Sequence, residues 1–246
     1  MRPEAFQLLC QKLREIGRVK DSTRSTVEDQ NHVFLLSPLR ETISRYFHIV
    51  LHAILSLEGD FFKQPSGEDV PYEILHSSRF YPFFKDCIGA IDGTHSHVKE
   101  PRMEAPRFHE RKDHPTQNVL AACEFDMKFT YVLSGKCYLG DIRFMLKPGI
   151  LTPYRGVQYH LKEYSIHEPQ NPKELFNNRH SSSRNVIERC FGVLKKRFPV
   201  IAGDTKPYYL FETMRDIFLA CCILHNFLTG VDVDQSIIDV VDRELL

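Results

Sequence analysis

Apolar residues recur at helical spacing in the first quarter of the chain, and this pattern predicts a small helical segment over residues 1–58. Intervals of three and four residues separate the apolar positions of Arg2–Ile16 and again those of Leu39–Leu57. Basic and histidine side chains lie off the apolar stripe of the second helix: Arg40, Arg45, His48 and His52. This arrangement fits a helix-turn-helix DNA reader or a plain helical bundle with solvated charges, and the pattern alone favours the bundle.

The pattern then changes to short apolar runs that predict strands. A linker and lead-in over residues 59–86, with Pro65-Ser66-Gly67 at its centre, separates the two regions. The run Cys87–Ile91 ends on Asp92, so this carboxylate is expected at or near a strand end. Three further runs predict a sheet: Gln117–Phe125, Phe129–Ser134 and Cys137–Gly140, the last of which ends on Asp141.

Asp92 and Asp141 therefore each close a predicted strand. Burying an unpaired carboxylate is very costly, so neither side chain is expected to fill the core. Either aspartate could cap a turn, as Asp92 could do beside Gly93. The alternative is that both bind a metal ion or act in catalysis.

Helical spacing returns in the last third of the chain. His180–Phe198 predicts a helix that one of the serines 181–183 would cap, with Glu188 beside its apolar stripe. Glu188 could serve the strand-ending acids, or simply pair with Arg184 four residues earlier. Phe211–Leu228 predicts a final amphipathic helix, and residues 229–246 form an acidic tail that we expect to be mobile or loosely helical.

Composition and charge are ordinary for a globular protein, apart from one basic stretch. The 246 residues are 42% hydrophobic and 26% charged, with zero formal net charge, so no global signal for nucleic acid exists. A local basic patch can still bind phosphates. The candidate DNA-binding residues lie in or beside the predicted helix of Glu188: Arg184, Arg189, Lys195, Lys196 and Arg197.

The chain shows no sign of secretion or membrane insertion. Its first residues are charged throughout, unlike a signal peptide, and no apolar run approaches the roughly 20 residues that a membrane helix needs. The seven cysteines include no C-x-x-C pair, which predicts reduced core thiols. We expect a protein of the nucleus or cytoplasm, with no membrane partner and no small-molecule cofactor.

Two strand-ending aspartates and a glutamate on a later helix suit a two-metal phosphoryl-transfer site. Three carboxylates can hold two divalent ions, one beside the attacking oxygen and one beside the leaving oxygen. Mg²⁺ favours such oxygen ligands over nitrogen or sulfur. This interpretation makes Asp92, Asp141 and Glu188 both the metal ligands and the catalytic residues.

Several blocks of sequence resemble the DDE transposase domain of the PIF/Harbinger type. They include IDGTH, QNVLAACEFDMKFTYVLSG, PYRGVQYHLKE, ELFNNRHSSSRNVIERCFGVLKKRFPV and CCILHNFL. The resemblance implies an RNase H-like mixed α/β domain over residues 87–228, with Asp92, Asp141 and Glu188 holding Mg²⁺ or Mn²⁺. It also implies a DNA substrate, location in the nucleus and possible cooperation with a separate Myb-like DNA-binding protein.

The chain departs from that family at two places that look like deletions. Relatives have a further helical stretch near Leu36-Ser37-Pro38, and a helix after the strand that ends here at Ser134. In the implied sheet the third and fourth strands lie about 14 Å apart, but two residues span at most about 7 Å. Cys137–Gly140 therefore cannot take the fourth place while Phe129–Ser134 keeps the third, so either Asp141 is displaced or the third strand gives way.

These departures predict that nuclease or transposase activity is impaired. Three readings follow: an active metal-dependent nuclease, an inactive descendant that binds DNA or protein in the nucleus, and a decayed fragment.

Overall fold

The computed structural model describes most of the chain as two compact units. The described residues are 1–21, 26–29, 41–99, 116–130, 137–144, 146, 149–157, 168–202 and 209–245, with the side chains of 41–43 and 137 left out. The first unit comprises Met1–Phe62, His97–Pro115 and Phe198–Gln235. The second comprises Lys63–Ser96, Thr116–Arg197 and Ser236–Leu246.

The described helices and strands are numbered in chain order. The helices are α1 (Pro3–Glu15), α2 (Glu41–Leu55), α3 (Glu58–Phe61), α4 (Tyr72–Leu75), α5 (Pro172–Arg197), α6 (Phe211–Val231) and α7 (Gln235–Leu245). The strands are β1 (Cys87–His97), β2 (Thr116–Cys123), β3 (Phe129–Thr130), β4 (Cys137–Gly140) and β5 (Ile150–Leu151).

The first unit is helical, and α6 forms its core. The predicted helices near the N-terminus are confirmed as α1 and α2, while residues 30–40, where a helix-turn-helix would continue, lie outside the described part. The Phe47 ring of α2 stacks on Tyr209 with centroids 5.0 Å apart. The Asn226 side chain of α6 donates a 3.0 Å hydrogen bond to the Phe61 carbonyl. These contacts fix α2 and α3 against α6.

Helix α6 is longer and more apolar than the sequence analysis allowed. By length and composition it could cross a membrane, although 67% of its most apolar window is buried inside the protein. Its buried side chains include Ile217, Cys221 and Phe227. Burial of this kind is typical of the core helix of a folded domain, so the helix carries only weak evidence for a membrane span.

The second unit is built on a five-stranded mixed sheet, as the predicted α/β class requires. Its strand order is β3-β2-β1-β4-β5. Strands β2 and β3 are antiparallel, whereas β1, β4 and β5 run parallel to one another. Helix α5 contacts this sheet through β2 and β4. The carboxyl ends of three neighbouring strands therefore meet along one edge.

Strand β4 lies beside β1 despite the short connection that precedes it. The described part of the third strand ends at Thr130, and residues 131–136 lie outside the described residues. From Thr130 to Cys137 the chain takes 137 − 130 = 7 steps, which reach about 24 Å when extended. This length exceeds the crossing of about 14 Å. The structure places β4 beside β1, and the described part of the third strand, Phe129–Thr130, keeps its place beyond β2.

Helix α5 begins eight residues before the predicted helix, so the proposed serine cap is wrong. Asn171 is the actual cap, because its side-chain oxygen accepts 3.0 Å hydrogen bonds from the backbone N–H groups of Lys173 and Glu174. Pro172 follows at the first helical position, where a missing N–H costs nothing. Ser181 and Ser183 instead lie buried in the middle of the helix.

The expected acidic tail also forms regular structure. Helix α6 extends to Val231, and α7 packs on α5 with Val241 against Gly192. Two ion pairs join the same helices: Arg189 with Asp242 at 2.6 and 2.9 Å, and Lys196 with Glu244 at 2.5 Å. Two acids of the expected mobile tail, Asp242 and Glu244, are thus the partners of basic residues on α5.

Candidate active site

Asp92 and Asp141 lie side by side on neighbouring strands. The parallel register pairs Ala90 with Leu139 and Ile91 with Gly140, so the next residue on each strand is an aspartate. Adjacent strands are about 4.8 Å apart, which makes the two aspartates neighbours across the β1–β4 pair. Asp92 does not end its strand, since β1 continues to His97 with Thr94 and Ser96 buried.

Each aspartate is held by a backbone N–H and by an arginine. Asp92 accepts from the Gly93 N–H at 2.7 Å, and Asp141 accepts from the Ile142 N–H at 2.6 Å. The Arg143 Nε donates to Asp141 at 2.9 Å. Burial raises the pKa of Asp141, but the hydrogen bonds from Arg143 and Ile142 and the nearby charge of Arg184 together outweigh it. The pKa of Asp141 therefore lies below its usual value, and the group is ionised at neutral pH.

Glu188 reaches the aspartates through Arg184. The Arg184 Nη1 donates to Asp92 at 2.5 Å, and its Nη2 donates to Glu188. The Arg184 side chain is only 9% exposed, while that of Glu188 is 38% exposed. The simple pair of Arg184 with Glu188 is thus present, and the same guanidinium also binds Asp92.

The five residues predicted to bind DNA fall into different surroundings. Arg184 lies among the carboxylates, and the Lys195 Nζ donates to the His95 carbonyl of β1 at 3.1 Å. Arg189 and Lys196 pair with α7, and Arg197 is half-buried. Only Arg184 and Lys195 have described contacts beside the carboxylate edge.

The loops after β4 and β5 add residues that the sequence analysis missed. Arg143 follows Asp141, and Arg155 donates to the Ile142 carbonyl at 3.3 Å. The buried Asn177 side chain accepts from the Tyr154 N–H at 2.8 Å and donates to the Tyr154 carbonyl at 3.0 Å. The position of Arg143, two residues after Asp141, could have indicated its role from the sequence. Arg155 had no such signal, because only the pairing of β4 with β5 brings it near Ile142.

His180 fixes α5 to β5 next to this edge. Its Nε2 donates a 2.9 Å hydrogen bond to the Leu151 carbonyl, and the side chain is fully buried. Burial lowers the pKa of His180 to about 4. The imidazole is therefore neutral at pH 7 and holds its position as a hydrogen-bond donor.

We expect this histidine to make the protein sensitive to acid. The unfolded chain binds a proton at His180 below pH 6.5, whereas the folded protein does so only near pH 4, so acidification between these values favours unfolding. The loss should approach about 3 kcal/mol of the free energy of unfolding. Urea unfolding across this pH range should show a shallower loss for His180→Gln, whose amide keeps a donor. The exposed His76→Gln should match the parent, and equal slopes for all three proteins would contradict the prediction.

The side chains at this edge provide some of the oxygen ligands that a hard divalent cation prefers. Mg²⁺ commonly binds through one or two carboxylates and retains several waters, and the adjacent Asp92 and Asp141 carboxylates provide such a pair. Within the described residues no three histidine, cysteine, aspartate or glutamate side chains converge as a metal site. The guanidinium of Arg184 stands between Asp92 and Glu188, so the aspartate pair fits an ion better than the full triad does.

Comparisons with known proteins gave one family match and several relatives. Residues 132–226 match the family described as DDE superfamily endonuclease, a stretch that includes Asp141 and Glu188. The protein named "Putative nuclease HARBI1" is 28% identical in Bos taurus and 25% identical in Homo sapiens, each over 79% of this chain and 61% of the relative. An Arabidopsis thaliana protein named ALP1-like is 34% identical over 41% of this chain and 22% of its own length.

The chain spans about three fifths of the length of the nuclease relatives that it matches. No solved structure matches it. The family match over residues 132–226, the relatives and the mixed sheet are consistent with a DDE superfamily chain of the Harbinger transposase-derived kind.

Proposed function

We propose that this chain is a metal-dependent nuclease that cuts or transfers DNA strands at Asp92, Asp141 and Glu188. The observation that carries the proposal is the register of β1 and β4, which sets two carboxylates side by side at a sheet edge. The match of residues 132–226 to an endonuclease superfamily supports the reaction class. DNA as the substrate makes the nucleus the expected location.

Asp92 and Asp141 would hold Mg²⁺ or Mn²⁺, with Glu188 as the third acid. When bound, such an ion supplies an activated oxygen nucleophile and stabilises charge on the phosphate and the leaving oxygen. The low pKa of Asp141 keeps this carboxylate ionised at neutral pH. Mg²⁺ prefers carboxylate oxygens as ligands.

Arg184 would position the acids. It binds Asp92 and Glu188 at once, and its own side chain is buried, so the two carboxylates are oriented by one rigid planar group. Lys195, fixed to the β1 backbone, lies where it could bind the phosphate of a DNA strand. Both residues thus act on the β1 side of the site.

The proposal is tested by nicking of supercoiled plasmid DNA. We expect nicked circles with Mg²⁺ or Mn²⁺, none with EDTA, and recovery when excess metal is restored. Cleavage that persists unchanged in EDTA would contradict a metal-dependent site.

A second candidate function is an inactive descendant that binds DNA or protein in the nucleus, alone or with a Myb-like partner. The pairing of Arg184 with Asp92 and Glu188 favours it, because one cation already neutralises part of the charge that a second metal ion would need. DNA binding without nicking at any metal concentration would select this candidate.

A further inference from the structure

We propose that DNA is bound by a cationic rim, formed by Arg143, Arg155 and Lys173, and not by Arg189 and Lys196 on the face of helix α5 that α7 covers. The inference rests on the proposed function, because it takes a DNA strand as the substrate of the carboxylate site. It assigns the phosphate contacts to the loops after β4 and β5 and to the first turn of α5.

One residue of the rim contacts a carboxylate directly, and a chain of neighbouring contacts links the other two to it. Arg143 binds Asp141, and Arg155 binds the carbonyl of the next residue, Ile142. The Lys173 Nζ lies 5.6 Å from the ring centroid of Tyr154, the neighbour of Arg155. Since β4 and β5 are parallel and adjacent, the segments that follow them emerge at the edge where the aspartates lie.

Exposure separates the rim from structural ion pairs. The Arg143 side chain is 84% exposed, and Arg155 and Lys173 are also exposed. Exposed ion pairs contribute only about 0–1 kcal/mol to folding, so stability gives little reason for these cations. These cations lie near two carboxylates, which would repel an approaching phosphate. Their positive charge would offset that repulsion and so complement the charge of a nucleic-acid backbone.

The loop that carries Arg155 is fixed from below. Asn177 is completely buried and forms hydrogen bonds with both backbone groups of Tyr154 and with the Val157 carbonyl at 3.4 Å. These hydrogen bonds join a buried amide to the backbone of an exposed loop, so they hold that loop in one conformation. Preorganised side chains lose less entropy on binding, which suits a phosphate contact.

The opposite end of α5 is already engaged within the protein. Arg189 and Lys196 bind Asp242 and Glu244 of α7, and Val241 packs on Gly192 between them. A DNA strand on this face would have to displace α7. These two cations therefore serve as a matched control, since they are one arginine and one lysine, as Arg155 and Lys173 are.

The test compares two double alanine variants and one charge-preserving double variant of the full chain in equilibrium binding to a labelled 30-base-pair duplex and to one of its strands, in EDTA. Arg155→Ala/Lys173→Ala should weaken binding about tenfold and lower the salt slope by about 1.8 on duplex or 1.4 on single strands. Arg189→Ala/Lys196→Ala should keep the parent's slope. Arg155→Lys/Lys173→Arg, which preserves the charges, should restore most of the affinity, and thermal unfolding should confirm that every variant is folded.

The outcomes separate this inference from the proposed function. A loss of affinity for either form of DNA that is seen only with Arg155→Ala/Lys173→Ala supports the rim. Equal effects of both double variants, or a loss confined to Arg189→Ala/Lys196→Ala, overturn it even if the parent nicks DNA. A parent that binds no DNA overturns the rim, and the plasmid assay then decides the nuclease separately.

Discussion

Asp92→Asn is expected to abolish metal-dependent nicking, with a loss of about a thousand-fold or more, which corresponds to about 4 kcal/mol of transition-state stabilisation. The substitution keeps the shape of the side chain and an oxygen that can accept from Arg184. It removes the negative charge that would bind the metal ion. The initial rate of plasmid nicking with saturating Mg²⁺ measures the effect.

Asp141→Asn should cause a loss of the same order, and the double variant should be little worse than either single one. Residues that act as one unit in catalysis have effects that do not add, and two adjacent carboxylates on one ion form such a unit. The matched control is Asp126→Asn in the turn between β2 and β3, where the acid pairs with Lys128, and it should retain the parent's rate. Nicking by Asp92→Asn at the parent's rate would contradict the assignment of this site.

The chemistry of the site could be inferred from local sequence, but its assembly could not. Asp92 and Asp141 each follow a short apolar run, so a few neighbouring residues are enough to single out both acids. The register that sets them side by side depends on β4 pairing with β1, and 141 − 92 = 49 residues separate the two acids. Pairing over such a distance is fixed by burial of the whole sheet, which no single window of sequence contains.

The errors along α5 have a similar origin. An asparagine followed by Pro172 and Glu174 is a typical helix start. Three serines nearer the apolar stripe are also good N-caps, and they led to a predicted start that is too late. The ion pair of Arg189 with Asp242 could not be predicted from local sequence. Basic residues on one helix and acids 53 positions later show their pairing only when α7 is placed, so the basic stretch alone could not predict this ion pair.

The centre of the sheet offers the largest expected effect on stability, at Gly89 in β1. A Cβ atom at this position would lie 2.0 Å from the backbone oxygen of Cys123 and 2.9 Å from its carbonyl carbon. Backbone atoms of a paired strand cannot move aside as the end of a long side chain can, so Gly89→Ala must push β2 away from β1. Overpacking of a core costs about 1–3 kcal/mol when side chains can adjust, and this backbone clash should exceed 3 kcal/mol.

Such a loss would take a large share of the 5–15 kcal/mol that typically stabilises a folded domain, and urea denaturation should show a much lower midpoint for Gly89→Ala. The control is Gly230→Ala in α6, where no atom lies within 4 Å of the added methyl group. Alanine favours a helix over glycine by up to about 1 kcal/mol, so this variant should match or exceed the parent. A Gly89→Ala protein as stable as the parent would mean that β1 and β2 do not approach as closely as described. Because Asp92 follows Gly89 by three residues on the same strand, the geometry of the carboxylate site would then have to be revised as well.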